Sequence, residues 1–487
     1  MRKYFGTDGI RRIANIELSP ELVYKVAKAG AYVLSKHTDH APTILIGRDT
    51  RISGTLIESA MVAGFLSYGA NVKLLGVIPT PAVAYLTRKL NADASVVISA
   101  SHNTYEFNGI KYFSNKGMKI PDTLEEEIEE VMESGKLEEL TAVNDKIGVS
   151  EYCLDLIDEY VYFFRKNFDD DMEKLVSDDF IVGLDTANGA TYKVAEKVFK
   201  SLGIKYKIIN NNPDGININQ NCGSTHLEGL KKFVVENNLS MGVAYDGDGD
   251  RCLAVDENGN EIDGDKIMAI ISSSLRKKGK LAKDTIVATV MSNLGLNKYA
   301  RDNGLELLQT KVGDRYVLEE MLKDGFNLGG EQSGHVILLD YNPTGDGILT
   351  SLMLIKSILE ENKKASQMAQ MVKLYPQVLV NAKVNSEKKY GFKDDKEIKN
   401  AIEKLESQGH FCAIATGRSQ AMAFDYCQEI GFKNMVSDGG NGITIDNKLI
   451  KIDPLERESV VKLLKECDEK GFTWAISYDN SKVRYTK

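Results

Sequence analysis

Three aspartates at alternate positions in DGDGDR, Asp246, Asp248 and Asp250, bring three carboxylates together within one short loop. Carboxylates that close repel one another unless a hard divalent cation neutralises them, and oxygen ligands of this kind suit Mg²⁺ or Ca²⁺. The run MGVAY (241–245) before them is too apolar for loose surface, which opposes a merely solvated acidic turn. An EF-hand also fits by spacing, with Asp246, Asp248, Asp250 and Glu257 at loop positions 1, 3, 5 and 12. Two features oppose it: Arg251 stands where that loop needs glycine, and VAY and CLAVD alternate like strands.

A second candidate lies in VVISASHNTYEFNGIKYF (96–113), where an apolar strand ends in Ser101, His102 and Asn103. The carboxyl end of a buried strand is where open α/β sheets hold ligands. Because Ser101 and His102 are adjacent, their side chains are expected to diverge, and no G-x-S-x-G elbow surrounds them, so acyl transfer is disfavoured. A serine hydroxyl can instead carry a phosphoryl group, which needs a divalent cation and cationic donors. DGDGDR offers the first; Lys111 and Arg11 offer the second, the lysine exchanging a proton with a sugar hydroxyl if the site lowers its pKa. In GGEQSGH (329–335), Glu331 and Ser333 supply neighbouring acceptors for vicinal hydroxyls.

These groups need a scaffold, and 487 residues suffice for three or four domains on a guide of about 150 residues each. Lys and Arg number 61 against 70 Asp and Glu, a net charge of −9 without long like-charge blocks, which argues against nucleic acid and anionic membrane as main partners. The N-terminal MRKYFGTDGIRR has no apolar h-region, and no later run approaches the roughly 18 apolar residues of a membrane span. A cytoplasmic protein is expected. Six cysteines without CxxC spacing read as buried free thiols.

Along the chain, Ser19-Pro20 caps an amphipathic helix, and TILIG (43–47), a helix after Ser53, NVKLLGV (71–77), another helix and the Val96 strand follow. Such alternation means parallel α/β. A polar run, Glu138 to Ser150, precedes a connector helix over Tyr152 to Phe168; further α/β units run from FIVGLDTANGA to MGVAYDGDGDR and from TIVATVMSN to a helix at Gly347 to Asn362. The expected architecture is three similar tandem α/β domains at 1–150, 151–259 and 260–370, then an atypical α/β C-terminal domain at 371–487.

FGTDGIRRIAN, ISASHN with NGIK, DTANGATYKVA, NPDGININQNCGSTH, AYDGDGDR, TKVGDRYVLEEM and GGEQSGH together resemble the bacterial phosphoglucosamine mutases of the α-D-phosphohexomutase superfamily, over about residues 1 to 405. Glutamine in GEQSGH is similar to the glucosamine type, where methionine is more usual in the mannose and glucose enzymes. The resemblance implies interconversion of glucosamine 6-phosphate and glucosamine 1-phosphate through a bound 1,6-bisphosphate, with a sugar bisphosphate as the phosphorylating activator and a homodimer as the common assembly. It makes Ser101 the phosphoserine and one of the Mg²⁺ ligands, with Asp246, Asp248 and Asp250 as the others. Arg251 and His102 support the phosphate, Lys111 and Arg11 assist proton transfer and charge, and Glu331 and Ser333 hold sugar hydroxyls. Two departures lie nearby: Thr104 replaces a usual proline, which should loosen the loop, and Arg12 replaces a usual glycine, at a cost on the order of 1 kcal/mol if φ must be positive.

The family's fourth domain carries an RPSGTEP-like loop that grips the nonreacting phosphate, and no such segment follows residue 375. The family likeness ends near Ser407, and HFCAIATGRSQAMAFDYCQEIGFKNMVSDGGNGITIDNKLI then resembles Cof-like haloacid-dehalogenase phosphatases, with Thr416 in their phosphate-binding motif. That likeness is incomplete: the nucleophile motif DxDG[TS] is missing, only Asp394 and Asp395 lie nearby, and Arg418 is a candidate stand-in for the lost clamp. A clamp of two or three charge-assisted hydrogen bonds, at about 1.5 to 3 kcal/mol each, contributes decades of affinity. Weak mutase turnover is the expectation.

Overall fold

The computed structural model describes residues 3–6, 8–36, 38–376, 396–416, 419–437, 442–452, Val461, Lys465, 475–479 and 482–485. They fall into two compact units, residues 1–377 and 378–487.

In the first unit, Ser19 accepts a hydrogen bond from Leu22 N at 3.3 Å and proline fills the first position, so helix Pro20–Ser35 starts where the cap chemistry dictates. The first sheet holds β1 (Ile10–Ile13), β2 (Thr43–Arg48), β3 (Asn71–Val77), β4 (Ala94–Ile98), β5 (Phe107–Ser114) and β6 (Ser150–Tyr152), in the order β1-β5-β4-β2-β3-β6. β2, β3, β4 and β6 run parallel, as the alternation predicts, but β5 returns antiparallel to β4 and β1 antiparallel to β5. The purely parallel reading is corrected here: residues 99–106 are too few for the dozen or so that a parallel crossover needs. The return places Lys111 of β5 beside Val97 of β4, next to the loop that carries Ser101.

The second sheet holds β7 (Ile181–Asp185), β8 (Lys205–Ile209), β9 (Met241–Tyr245), β10 (Cys252–Asp256) and β11 (Glu261–Ile262), in the order β11-β10-β9-β7-β8. β9 and β10 form an antiparallel pair with Tyr245 opposite Cys252, so DGDGDR is the loop of a hairpin. No helices flank it, and Glu257 is turned away to accept from Ser366, which rules out the EF-hand geometry. β11 carries this sheet past residue 260. The third sheet holds β12 (Thr285–Thr289), β13 (Glu306–Thr310), β14 (Leu328–Gly330) and β15 (Val336–Leu338), in the order β13-β12-β14-β15, with EQSGH turning between β14 and β15.

One apolar core runs through all three sheets, from Leu45 and Val97 through Val243 and Ala254 to Ile286 and Leu328. The connector helix, Ile157–Leu175, starts later than Tyr152, which is taken up by β6. Its Tyr160, Phe163, Phe164 and Phe168 enter that core, and Tyr160 OH donates to Asp346 Oδ2 at 2.7 Å, the N-cap of helix Gly347–Glu360. Burying aromatic rings of this size stabilises by roughly 1.5 to 3 kcal/mol each, enough to hold the three sheets as one body. Cys222, Cys252 and Cys427 are buried free thiols as expected, whereas Cys153 and Cys412 are half-buried.

The second unit contains helix Lys396–Ser407, helix Gln420–Ile430, a sheet of β16 (Ala413–Ala415), β17 (Asn434–Ser437), β18 (Gly442–Ile445) and β19 (Lys448–Ile452) in that order, and a hairpin of β20 (Ala475–Asp479) and β21 (Lys482–Tyr485). β16 and β17 are parallel and the rest of the sheet antiparallel. Thr416 follows β16, its amide bonded to Val436 O at 2.9 Å. Asp394, Asp395 and Arg418 lie outside the described residues.

Candidate active site

The loop after β4 and the loop between β9 and β10 meet face to face. Ser101 is 2% exposed and its Oγ donates to Asp246 Oδ2 at 2.7 Å. The approach requires glycine: a Cβ on Gly247 would stand 2.6 Å from Ser101 O and 2.7 Å from Asn219 Nδ2. Asp246, Asp248 and Asp250 are all buried, and ligand oxygens of the three lie within 4.8 Å of one another. Asp248 Oδ1 and Asp250 Oδ1 are buried without a hydrogen-bond partner. Unpartnered carboxylate oxygens in a dry site are costly, and a hard cation relieves the cost, so the donor set fits Mg²⁺.

The electrostatics follow from this crowding. Burial, with Asp250 and Asp248 beside it, pushes the Asp246 carboxyl well above the ordinary range. Burial acts in the same direction on Asp248, but Lys111 outweighs it and leaves that carboxyl below its usual value. A bound divalent cation would hold both ionised. Lys111 is 2% exposed, with Nζ 3.1 Å from Asp248 Oδ2, 3.1 Å from Asp8 Oδ2 and 3.9 Å from Asp250 Oδ2. Burial alone would lower its pKa, yet Asp248, Asp8 and Asp250 together raise it. The expectation of a lowered lysine is corrected: the carboxylate cage keeps Lys111 cationic.

His102 Nδ1 lies 3.4 Å from Ser101 Oγ, so the two side chains do not diverge. The φ of +52° at Ser101 turns the backbone and folds the pair onto one side. Burial, then Arg251 and Arg11, pull the imidazole down to about 4, so it is neutral near pH 7. Arg11 Nη2 pairs with Asp8 at 2.8 Å while Nη1 donates to Asn103 Oδ1 at 3.0 Å, which ties β1 to the serine loop. Arg251 donates its backbone N–H to Asp246 Oδ1 at 3.1 Å, and its buried Nε has no hydrogen-bond partner.

A cavity of about 610 Å³ opens beside these groups, and its lining includes Arg11, Arg12, His102, Asp250, Arg251 and Glu331. Glu331 Oε1 accepts from Gly313 N at 3.1 Å. Ser333, in the same turn, is exposed and does not line the cavity. Arg12 belongs to β1, paired with Asn108, and its φ is not positive, so the expected strain is absent. The loosening expected at Thr104 is countered as well, because Arg51 donates to its carbonyl.

Several neighbours escaped the motif reading. Thr80 Oγ1 donates to Asp248 Oδ2 at 2.8 Å, and Lys119 joins Asp8 at 2.6 Å to Asp314 at 2.5 Å. His335 Nε2 stands 3.3 Å from Asp314 Oδ2, and Lys119 with His335 helps to hold the Asp314 carboxyl down at about 2 against its burial. Asp8, Asp314 and His335 sit inside the stretches FGTDGIRR, TKVGDR and GGEQSGH, but only the folded chain brings them to one cavity wall.

Comparison with known proteins gives a matching picture. Family models for phosphoglucomutase/phosphomannomutase α/β/α domains I, II and III match residues 2–139, 158–259 and 263–375. A haloacid dehalogenase-like hydrolase model matches residues 385–487, beginning upstream of helix Lys396–Ser407. The phosphoglucosamine mutase of Ruminiclostridium cellulolyticum is 51% identical over 408 residues, 84% of this chain and 90% of the relative. That of Acetivibrio thermocellus is 52% identical over the same length, with the same coverage. Among solved structures, a phosphoglucomutase/phosphomannomutase family protein of Burkholderia thailandensis superposes with a TM-score of 0.64 at 22% identity, covering 76% of this chain and 79% of that one, a likeness of fold.

Proposed function

Because the chain belongs to the phosphoglucosamine mutase family, we propose that it moves a phosphoryl group between the two ends of glucosamine phosphate by way of Ser101. The observation that carries this reading is the contact of Ser101 Oγ with Asp246 Oδ2 at 2.7 Å, beside carboxylates with two unpartnered oxygens. In the proposed cycle, phosphorylated Ser101 gives its phosphoryl group to the free hydroxyl of glucosamine 6-phosphate. The resulting 1,6-bisphosphate turns over in the cavity and returns its other phosphoryl group to Ser101, releasing glucosamine 1-phosphate. Each half-reaction breaks one P–O bond and forms another, and the hydroxyl proton passes from the attacking oxygen to the departing one.

Asp246, Asp248 and Asp250 would hold Mg²⁺ with an oxygen of the phosphoserine, and the ion would neutralise charge on the transferring group. Lys111, kept cationic by its cage, donates a hydrogen bond to the bridging oxygen or the sugar hydroxyl. Arg251 offers its unpartnered guanidinium edge to phosphate, and neutral His102 can donate or accept beside Ser101 without adding charge. Arg11 braces the loop through Asn103, and Glu331 faces the cavity where sugar hydroxyls would lie. Ser333 would join it only after moving inward. Glucose 1,6-bisphosphate or its amino-sugar counterpart would load Ser101 initially, and a homodimer and a cytoplasmic site of action complete the reading.

A second reading, binding and phosphorylation without turnover, is favoured by the haloacid dehalogenase-like match over 385–487, where the family's phosphate-gripping loop is expected. A coupled assay of glucosamine 1-phosphate formation, with the phosphorylation state of Ser101 read in parallel, separates the two. Turnover typical of the family supports full mutase action. A phosphorylated but idle protein supports the second reading, and an unphosphorylated idle one contradicts both.

A further inference from the structure

The left-handed backbone at Ser101 has to be held in place, and the groups that hold it are remote from its hydroxyl. Arg51 is 1% exposed; its Nη2 donates to Ser101 O at 3.0 Å and to Asn103 O at 2.8 Å, its Nη1 donates to Thr104 O, and its Nε donates to Asp49 Oδ2 at 2.8 Å. From the second sheet's side, Asn219 Nδ2 donates to the same two carbonyls, Ser101 O at 2.8 Å and Asn103 O at 2.9 Å. Asp49 Oδ2 also accepts from Ser99 Oγ at 2.6 Å, and that oxygen accepts from Ser101 N at 2.9 Å. Both polar groups of the Ser101 backbone are therefore gripped by side chains, while its Oγ is left to Asp246.

A fully buried guanidinium is expensive, and an apolar group of similar size would serve stability as well. The planar fork does what an apolar group cannot: it meets three carbonyls of the serine loop and one carboxylate at fixed angles. We propose that Arg51, with Asn219 as its counterpart, is a positioning residue that fixes the Ser101 backbone so that Oγ faces Asp246 and meets the phosphoryl donor in line. The proposal rests on the phosphoserine reading above. In the step concerned, the sugar O–P bond breaks, the Oγ–P bond forms, and the serine proton ends on the released sugar hydroxyl. Arg51 and Asn219 touch neither reactant, so their loss should slow this step while leaving bisphosphate binding nearly intact.

The test follows phosphoryl uptake from glucose 1,6-bisphosphate by intact mass, on the full chain with Mg²⁺, as a function of bisphosphate concentration. Misplacement of a reacting group by about 1 Å costs roughly 100-fold, so R51Q should lower the maximal rate by about that factor with the half-saturating concentration within about threefold of wild type. R51K should recover about tenfold of the loss, since an ammonium reaches one carbonyl where the fork reaches three. Equal maximal rates in wild type and R51Q, or a loss confined to the half-saturating concentration, overturn the positioning role. If R51Q fails to fold by circular dichroism, N219A decides, because it leaves the Arg51–Asp49 pair in place: about a tenfold slower uptake supports the proposal and an unchanged rate overturns it. Wild-type protein that takes up no phosphoryl group sinks the phosphoserine reading itself, a failure distinct from that of the variants.

Discussion

Ser101 Oγ and Asp246 Oδ2 are 2.7 Å apart although 145 residues separate them in the chain. The contact joins the tip of β4 in the first sheet to the β9–β10 hairpin of the second, and the common core beneath makes it a fixed distance. Phosphoryl transfer depends on positioning and charge more than on bond-making by the protein, so in the proposed cycle the relation between these two residues is the one that matters most.

Removing one cage carboxylate should weaken the cation. D248N leaves Lys111 in place and keeps the shape of the side chain, so the protein should stay folded while Mg²⁺ affinity by titration calorimetry falls by at least about tenfold to 100-fold. Unchanged affinity would remove Asp248 from the metal set.

Lys111 neutralises Asp8 and Asp248 in the absence of metal. K111M strands the buried Asp248 carboxylate, while Asp8 keeps Arg11 and Lys119, and in metal-free buffer the variant should lose about 3 to 5 kcal/mol of stability by denaturant titration. Mg²⁺ should restore much of that loss, because the ion replaces the missing charge. A variant that is as stable as wild type with EDTA, or indifferent to Mg²⁺, contradicts the cage.

The legible part of this site was its inventory. Asp246, Asp248 and Asp250 announce themselves because like charges at alternate positions need an external explanation, and Ser101 because polar groups at the tip of a buried strand do. Parallel pairing of β2, β3 and β4 was readable from alternation, whereas the antiparallel return of β5 was not, since the pattern of a buried strand carries no direction. Arg51, Lys119 and Asn219 were invisible as site residues: each acts through partners brought by tertiary structure, and no local spacing records such a partner. The direction of the Lys111 shift was likewise beyond the sequence, because it is decided by carboxylates from residue 8 and residues 248 and 250.

Away from the site, Asp265 offers a stability test. Burial raises its carboxyl to about 6, even though Oδ2 accepts from Asn293 N at 2.6 Å. The folded chain therefore keeps a proton that the unfolded chain, near the ordinary carboxylate value, has released. Its contribution is complete below that unfolded value and is lost as pH rises to about 6, a change of about 2 to 3 kcal/mol. The difference in denaturation free energy between wild type and D265N should fall across pH 4 to 6 and be flat above about 7. A difference that rises over the same interval has the sign wrong and refutes the assignment.

Replacing the expected phosphate-gripping loop by a haloacid dehalogenase-like segment should separate loading from turnover. Loss of two or three charge-assisted hydrogen bonds costs several decades of affinity at about 1.5 to 3 kcal/mol per bond, so steady-state kcat/KM for glucosamine 6-phosphate should lie at least about 100-fold below that of the Acetivibrio thermocellus relative assayed alongside. Equal values would mean that other groups grip the far phosphate.

The most direct measurement is peptide mass spectrometry of the full chain after exposure to glucose 1,6-bisphosphate, with Mg²⁺ or with EDTA, in wild type and S101A. The account predicts one phosphoryl group, on Ser101, formed with Mg²⁺ and lost in both controls. A phosphoryl group on another residue, or one acquired equally well in EDTA, would contradict it.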